Sequence, residues 1–280
     1  MDIPLFEKID GGLQCLLCPH FCSLSNGQVG KCSARFNNGS AIVHMNLGAI
    51  SSLAVEPIEK KPFKHFLEGT KTLTVGGYGC NLDCVYCENH KISQVSPPQK
   101  SKVIDPVDLV AIAVEKHCQS ITMSYNEPIL SYEYLLDLAE NCFTHELDFI
   151  LKTNAFVNKD PWEEICLRTF AMNIDWKGDG RSFKDVTRVD DYVLKDRIKT
   201  AFDHGVHIEI SLPLYYLDYD LEEQINIAGE FLSSIDESIP CHVLRISPSH
   251  DCEDFIYTQK DLDISQKILS KYMKNVYTVI

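Results

Sequence analysis

No run of roughly 18 apolar residues occurs anywhere in this 280-residue chain, so a membrane-spanning helix is not expected. The amino terminus, MDIPLFEKIDGG, has early acidic residues and no apolar stretch of the kind that marks a secretory leader, which points to the cytoplasm. Basic residues are scarce: 26 Lys and Arg stand against 40 Asp and Glu, for a net charge of −14. Affinity for nucleic acid comes mainly from Lys and Arg neutralising phosphates, so a nucleic-acid partner is not expected. The one local concentration of positive charge is VEPIEKKPFKHF, with Lys60, Lys61 and Lys64, read either as a basic patch or as a solvated turn. Internal repeats and low-complexity segments are absent. The length suffices for one large domain with a full core.

Cysteine is plentiful by contrast, with 12 residues. In a secreted chain that number would suggest disulfides; without a leader, clustered cysteines suggest metal. Cys15, Cys18, Cys22 and Cys32 form the run C-x2-C-x3-C-x9-C. Four thiolates in one short segment suit a closed tetrahedral site, zinc by default, with a single iron or a second cluster also open. The spacing does not match the C-x2-C-x2-C-x3-C run of ferredoxins. A metal there would fold an otherwise thin amino-terminal subdomain, residues 1–67, with turns at NGQVGKC and NNGS. Cys118, Cys142, Cys166 and Cys241 fall mostly in expected helices or at a strand start, where free cysteine packs as a small hydrophobe.

From Thr72 onward, β-rich runs alternate with helical patterns. Strands are expected at TLTVGG, SITMSY, DFILKTN, AMNIDW, VHIEISLPL, HVLRIS and VYTVI. Helices are expected after Asp105-Pro106, after Ser131 and after Asp160-Pro161, where a capping residue precedes the first turn. A further helix ends at Gly205, and LEEQINIAGEFLSS and DLDISQKILSKYM share the helical period. Such alternation implies βαβ units on a parallel sheet. About six units are visible, fewer than the eight of a closed barrel. The expectation is therefore an α/β fold, a partial (β/α)6 TIM-like barrel over residues 68–280, with the small cysteine-rich subdomain in front. Chemistry in such folds gathers at the carboxyl ends of strands.

Directly after the first of those strands comes GYGCNLDCVYCENH, with Cys80, Cys84 and Cys87 spaced C-x3-C-x2-C. Three thiolates are one short of a closed tetrahedral site, unless a residue such as His90 completes a zinc loop. An iron–sulfur cubane held by three thiolates would instead leave one iron open for a chelating substrate. With Tyr86 in place, the run resembles the hallmark of the radical SAM superfamily, C-x3-C-x2-aromatic-C. CLLCPHFCSLSNGQVGKCSAR, VEPIEKKPFKHF, GYGCNLDCVYCENHKISQ and SYNEPILSYEY, in that order, resemble its AmmeMemoRadiSam branch, close to pyruvate formate-lyase activating enzymes.

This resemblance implies a [4Fe–4S] cluster on Cys80, Cys84 and Cys87 that cleaves S-adenosylmethionine to a 5′-deoxyadenosyl radical. It places Tyr86 near the adenine and Asn126 and Glu127 near the amino group. It places Asn154 near the cofactor, and Asp175 and Lys177 near the ribose and carboxylate. Ser211 and Arg245 would occupy later strand ends at the same mouth. His242 is equally well a core histidine, and Cys252, in SPSHDCED, a hydrogen donor to a substrate radical. The implied substrate is a peptide, a protein or a small metabolite, with flavodoxin or ferredoxin as electron donor. Oxygen-poor conditions are implied as well. Two alternatives stand beside this reading: an activase for a glycyl-radical enzyme, and a metal-stabilised binding protein without radical chemistry. No cobalamin-binding segment is apparent.

Overall fold

A computed structural model describes residues 3–189, 193–215, 220–247, 251 and 258–279. At its centre eight strands lie side by side in chain order: β1 (Ser52–Pro57), β2 (Lys71–Gly76), β3 (Ser120–Ser124), β4 (Asp148–Thr153), β5 (Ala171–Asp175), β6 (His207–Leu214), β7 (Cys241–Arg245) and β8 (Val276–Val279). Strands β2 to β8 are parallel. Only β1 is antiparallel, paired with β2 from Ser52↔Gly76 to Pro57↔Lys71. Among the described residues β1 and β8 do not pair, so the sheet stays open.

Six crossovers join the parallel strands, matching the six expected units. They carry α1 (Pro106–Glu115), α2 (Tyr132–Thr144), α3 (Lys159–Cys166), α4 (Arg181–Thr187) with α5 (Leu194–Asp203), α6 (Leu221–Ile235) and α7 (Gln259–Leu269). The inner strands β2 to β7 are buried along most of their length on both faces and read as nearly continuous apolar runs. All five residues of β3 are buried. Helix α2 turns Tyr134, Leu135, Leu138, Ala139 and Cys142 inward, the three-and-four spacing of a single helical face. Caps set several starts. Asp220 accepts from the backbone N–H groups of Glu222 and Glu223, and Thr258 forms a capping box with Asp261. Gly205, at φ +76°, follows α5 as the left-handed residue that ends a helix.

Helix α3 departs from expectation. It begins at Lys159 with Asn158 at the cap position, two residues before the expected Asp160. Pro161 is still tolerated, because first-turn N–H groups have no partner within the helix. Asn158 instead donates from its side chain to the carbonyl of Leu16, tying the amino-terminal segment to the sheet.

VEPIEKKPFKHF is neither a basic patch nor a solvated turn. Ile58 and Phe63 are fully buried and pack on Ile150 and Ala171. Asn173 donates to the carbonyl of Pro62. The buried Glu209 carboxylate accepts from the backbone of Lys64 and His65 and faces His207 and His242. Lys61 is itself buried, 2.6 Å from Glu56.

Ahead of β1, Phe6–Ile9, Gly12–Cys15 and Ser23–Leu24 form a three-stranded antiparallel ribbon, and Arg35–Asn37 pairs with Ile42–His44. Leu13, Leu17 and Ile42 share one apolar core with the sheet and helices. No described helix is long and apolar enough to cross a membrane.

Candidate functional site

At the carboxyl ends of the parallel strands lies a cavity of about 550 Å³. Each strand end contributes to its wall. The loop after β2 brings Cys80, Cys84, Tyr86 and Cys87; the end of β3 brings Asn126 and Glu127. From β4 come Lys152 and Asn154, from β5 Asp175 and Lys177, and from β7 Arg245.

Asn126 lines the cavity and also shapes the cysteine loop. Its Oδ1 accepts from the Gly77 N–H at 2.9 Å, and its Nδ2 donates to the carbonyls of Tyr78 and Gly79 at 3.1 Å each. Gly79 is held at φ +83°, where a Cβ would stand 2.5 Å from the carbonyl oxygen of Cys32. Only glycine allows this approach.

Behind that loop the thiols meet hydrogen-bond donors. The Leu82 N–H and the Asn154 side-chain amide point at Cys80 Sγ, at 3.4 and 3.6 Å. Ser93 Oγ lies 3.3 Å from Cys87 Sγ. Burial pushes the Cys80 thiol well above its usual range and the Cys84 thiol up to about 12. A metal binding here must displace those protons.

Asp175 bridges two lysines, Lys152 at 2.8 Å and Lys177 at 2.9 Å. Burial alone would raise the Asp175 carboxyl, yet the two ammonium groups hold it well below the carboxylate range. Lys177 also sits 5.6 Å from the ring centre of Tyr86, and that ring stacks on Tyr215 at 5.3 Å. Glu127 is different. Burial raises its carboxyl to about 7 against three donors: the Asn154 N–H, the Thr153 hydroxyl and the Ile129 N–H. Its Oε2 carries one of those bonds and keeps room for another donor.

Of the expected site residues, all but Ser211 line this cavity or the smaller one below. Ser211 is buried behind the wall, donating to Asn173 Oδ1 and accepting from Lys152. His242 is a core residue, fully buried and 2.6 Å from Glu209. Cys252 lies outside the described residues. Lys152 escaped the reading of the sequence and Lys61 was read only as part of a surface run, although both line the cavity. Lys152 precedes Asn154 by two residues in KTNA, the same one-face spacing that singled out Asp175 and Lys177.

Cys15, Cys18, Cys22 and Cys32 surround a second, far smaller cavity of about 10 Å³, shared with His20, Gly30, Arg35 and Leu130. Burial raises the thiols of Cys15, Cys18 and Cys32. As the side chains stand, no group of three or more His, Cys, Asp or Glu among the described residues is arranged to hold a metal ion. The thiols of each cluster share a cavity rather than a ligation geometry. The chemistry of the donors fits iron or zinc in both places: three thiols in the larger cavity, and four thiols beside His20 with no carboxylate in the smaller one.

Comparison with known proteins agrees with this geometry. The model of the Radical SAM superfamily matches residues 74–229, from within β2 into α6. An uncharacterised protein of Methanocaldococcus jannaschii is 28% identical over 254 residues, which cover 89% of this chain and 75% of that protein. A domain of a pyruvate-formate lyase-activating enzyme from Bacteroides vulgatus superposes with a TM-score of 0.50 at 21% identity, over 57% of this chain and 99% of that domain. Streptococcus suis SuiB bound to precursor peptide SuiA superposes with a TM-score of 0.58 at 17% identity. That match covers 80% of this chain and only 51% of the SuiB chain. At such identities the structural likeness is one of fold. The family match spans more than half of the chain, and with the three-cysteine loop at the mouth of the sheet it identifies an enzyme of the Radical SAM superfamily.

Proposed function

We propose that Cys80, Cys84 and Cys87 are the protein ligands of a [4Fe–4S] cluster and that S-adenosylmethionine binds beside them. When bound, these groups supply an electron and a 5′-deoxyadenosyl radical that takes a hydrogen atom from an unactivated C–H bond. The observation that carries the reading is the gathering of the three thiols and the Lys152–Asp175–Lys177 network on one 550 Å³ cavity at the strand ends.

The side chains divide the remaining work. Lys177 offers a cation to a carboxylate, and Asp175, kept ionised by its two lysines, offers an acceptor to ribose hydroxyls. Oε2 of Glu127 accepts from an ammonium group. Tyr86, stacked on Tyr215, gives the adenine an aromatic neighbour. Asn126 acts through the loop it clamps, Asn154 through Cys80, and Ser211 through Lys152. Arg245, exposed at the mouth, meets the substrate, which we take to be a peptide, a protein or a metabolite. A flavodoxin or ferredoxin delivers the electron.

In the amino-terminal segment, about residues 1–67, we assign Cys15, Cys18, Cys22 and Cys32 to a second metal. The last part of that segment, Ser52–Pro57, is continuous with the main sheet. Iron and sulfide analysis of anaerobically reconstituted protein tests the ligand assignment. Four irons and four sulfides are expected on the main site of the wild type, with severe loss in Cys80→Ala and in Cys87→Ala. Variants that retain a full cluster would overturn the assignment.

A further inference from the structure

The two cysteine clusters are built back to back. Cys18 packs in one apolar cluster with Cys84, Tyr86, Leu82 and Phe156. The carbonyl of Cys32 presses on Gly79, the residue before Cys80. A continuous polar path also joins them. His20, between Cys18 and Cys22, has its Nε2 at 2.7 Å from the carbonyl oxygen of Asn81. The Asn81 side chain accepts from Asn154 Nδ2 at 3.0 Å, and that same amide points at Cys80 Sγ at 3.6 Å. Asn81 also donates to the carbonyl of Phe156 at 2.6 Å, whose ring meets His20 edge-on at 5.2 Å.

The smaller cavity limits what the first cluster can hold. Its 10 Å³ is about the room one water-sized atom needs, so it suits a single ion and not a polynuclear cluster. Gly30 keeps one side open: a Cβ there would touch Cys22 Sγ and Cys32 Sγ, each at 3.7 Å. Arg35 supplies a spare hydrogen-bond donor. It is 1% exposed, and its terminal nitrogens are taken by Glu133, Leu130 and Ile42. Its Nε, buried on the same cavity, has no partner. A buried donor without an acceptor is costly, and a thiolate carrying the excess negative charge of a four-thiolate site is a suitable acceptor.

We infer that the amino-terminal site takes one thiophilic divalent cation, zinc or ferrous iron, and that its occupancy positions the cluster loop from behind. Binding fixes the Cys18–Cys32 knuckle, which holds His20 on Asn81 and the Cys32 carbonyl on Gly79. Asn81 in turn orients the Asn154 amide toward Cys80. Hydrogen bonds to cluster sulfurs raise the reduction potential, so the remote metal tunes the ease of reduction. His20 is a positioning residue here. The inference rests on the ligand assignment proposed above.

The test uses the full chain, reconstituted anaerobically, with metal analysis, electron paramagnetic resonance of the reduced cluster and a redox titration. One zinc or iron beyond the four cluster irons is expected. Zinc analysis and the visible bands of a single iron–thiolate centre distinguish the two metals. His20→Ala should keep the extra metal and the cluster, alter the resonance line shape and shift the midpoint to more negative potential. His20→Gln, which retains a donor, should restore both. Cys22→Ser should lose the extra metal and shift the midpoint in the same direction. A cluster without the extra metal, or a His20→Ala spectrum and midpoint equal to wild type, overturns this inference alone. A chain that forms no cluster overturns it together with the ligand assignment.

Discussion

Lys177 shows how much one side chain contributes at this mouth. It is nearly buried, and Asp175 holds its ammonium well above the usual range against a burial that would lower it. A charge-assisted hydrogen bond contributes about 1.5–3 kcal/mol, and about 1.4 kcal/mol is tenfold in affinity. Lys177→Met is therefore expected to weaken S-adenosylmethionine binding to the reconstituted protein by at least about tenfold, measured by calorimetry. Unchanged affinity would remove Lys177 from the site. Asp175 and Lys177 were legible in the sequence because alternate residues at a strand end share a face. Lys152 has that spacing with Asn154, but its partners Asp175 and Ser211 lie on other strands, and only the sheet register brings them together. Glu127 was legible as a carboxylate at a strand end, but not as the residue that also caps the following turn and ties β3 to β4.

At the scale of elements, the loop from Gly77 to Ser93 and the segment from Ile58 to Phe66 decide the architecture of the mouth. Gly79 joins the loop to the amino-terminal knuckle at a φ that costs other residues about 1–3 kcal/mol, before any clash with the Cys32 carbonyl. Gly79→Ala is expected to lower the stability of the metal-free protein by about 2 kcal/mol or more in chemical unfolding; a loss under about 0.5 kcal/mol would contradict the close packing of the two cysteine segments.

Glu209 anchors the Ile58–Phe66 segment. Burial would raise its carboxyl, but hydrogen bonds from His207, His242 and the backbone of His65 and Lys64 lower it to about 2. A carboxyl depressed on folding stabilises the protein above its unfolded value of about 4.5, and that stability is lost as pH falls toward 2. Two to three units correspond to about 3 kcal/mol. Glu209→Gln is expected to remove stability of that order at neutral pH and to flatten the acid limb between about pH 4.5 and 2, seen by urea unfolding across that range. An unchanged acid limb would show that Glu209 is not the group responsible. None of this was readable from VEPIEKKPFKHF, whose lysines suggested a surface. The burial of Lys61 depends on Glu56 and Tyr125, which reach it from β1 and the end of β3.

For the molecule as a whole, every expected strand and the six crossovers appear in order, because hydrophobic runs bounded by caps and glycines are local signals. The exceptions are also physical. The start of α3 moved because Asn158 binds the Leu16 carbonyl, a contact across the chain that no local pattern carries. The antiparallel β1 could not be assigned to the main sheet from AIVHMNLGAISSLAVE, where short strands look alike whichever partner they take. Two cysteine clusters were visible by spacing; their back-to-back packing was not. The central claim is that three thiols at the mouth of an open parallel sheet hold the cluster that cleaves S-adenosylmethionine. Its most direct test is 5′-deoxyadenosine, measured by mass spectrometry after anaerobic reconstitution and addition of dithionite and S-adenosylmethionine. The wild type is predicted to form it and Cys84→Ala to lose it. Equal formation by both proteins, or none by a wild type carrying a full cluster, would contradict the claim.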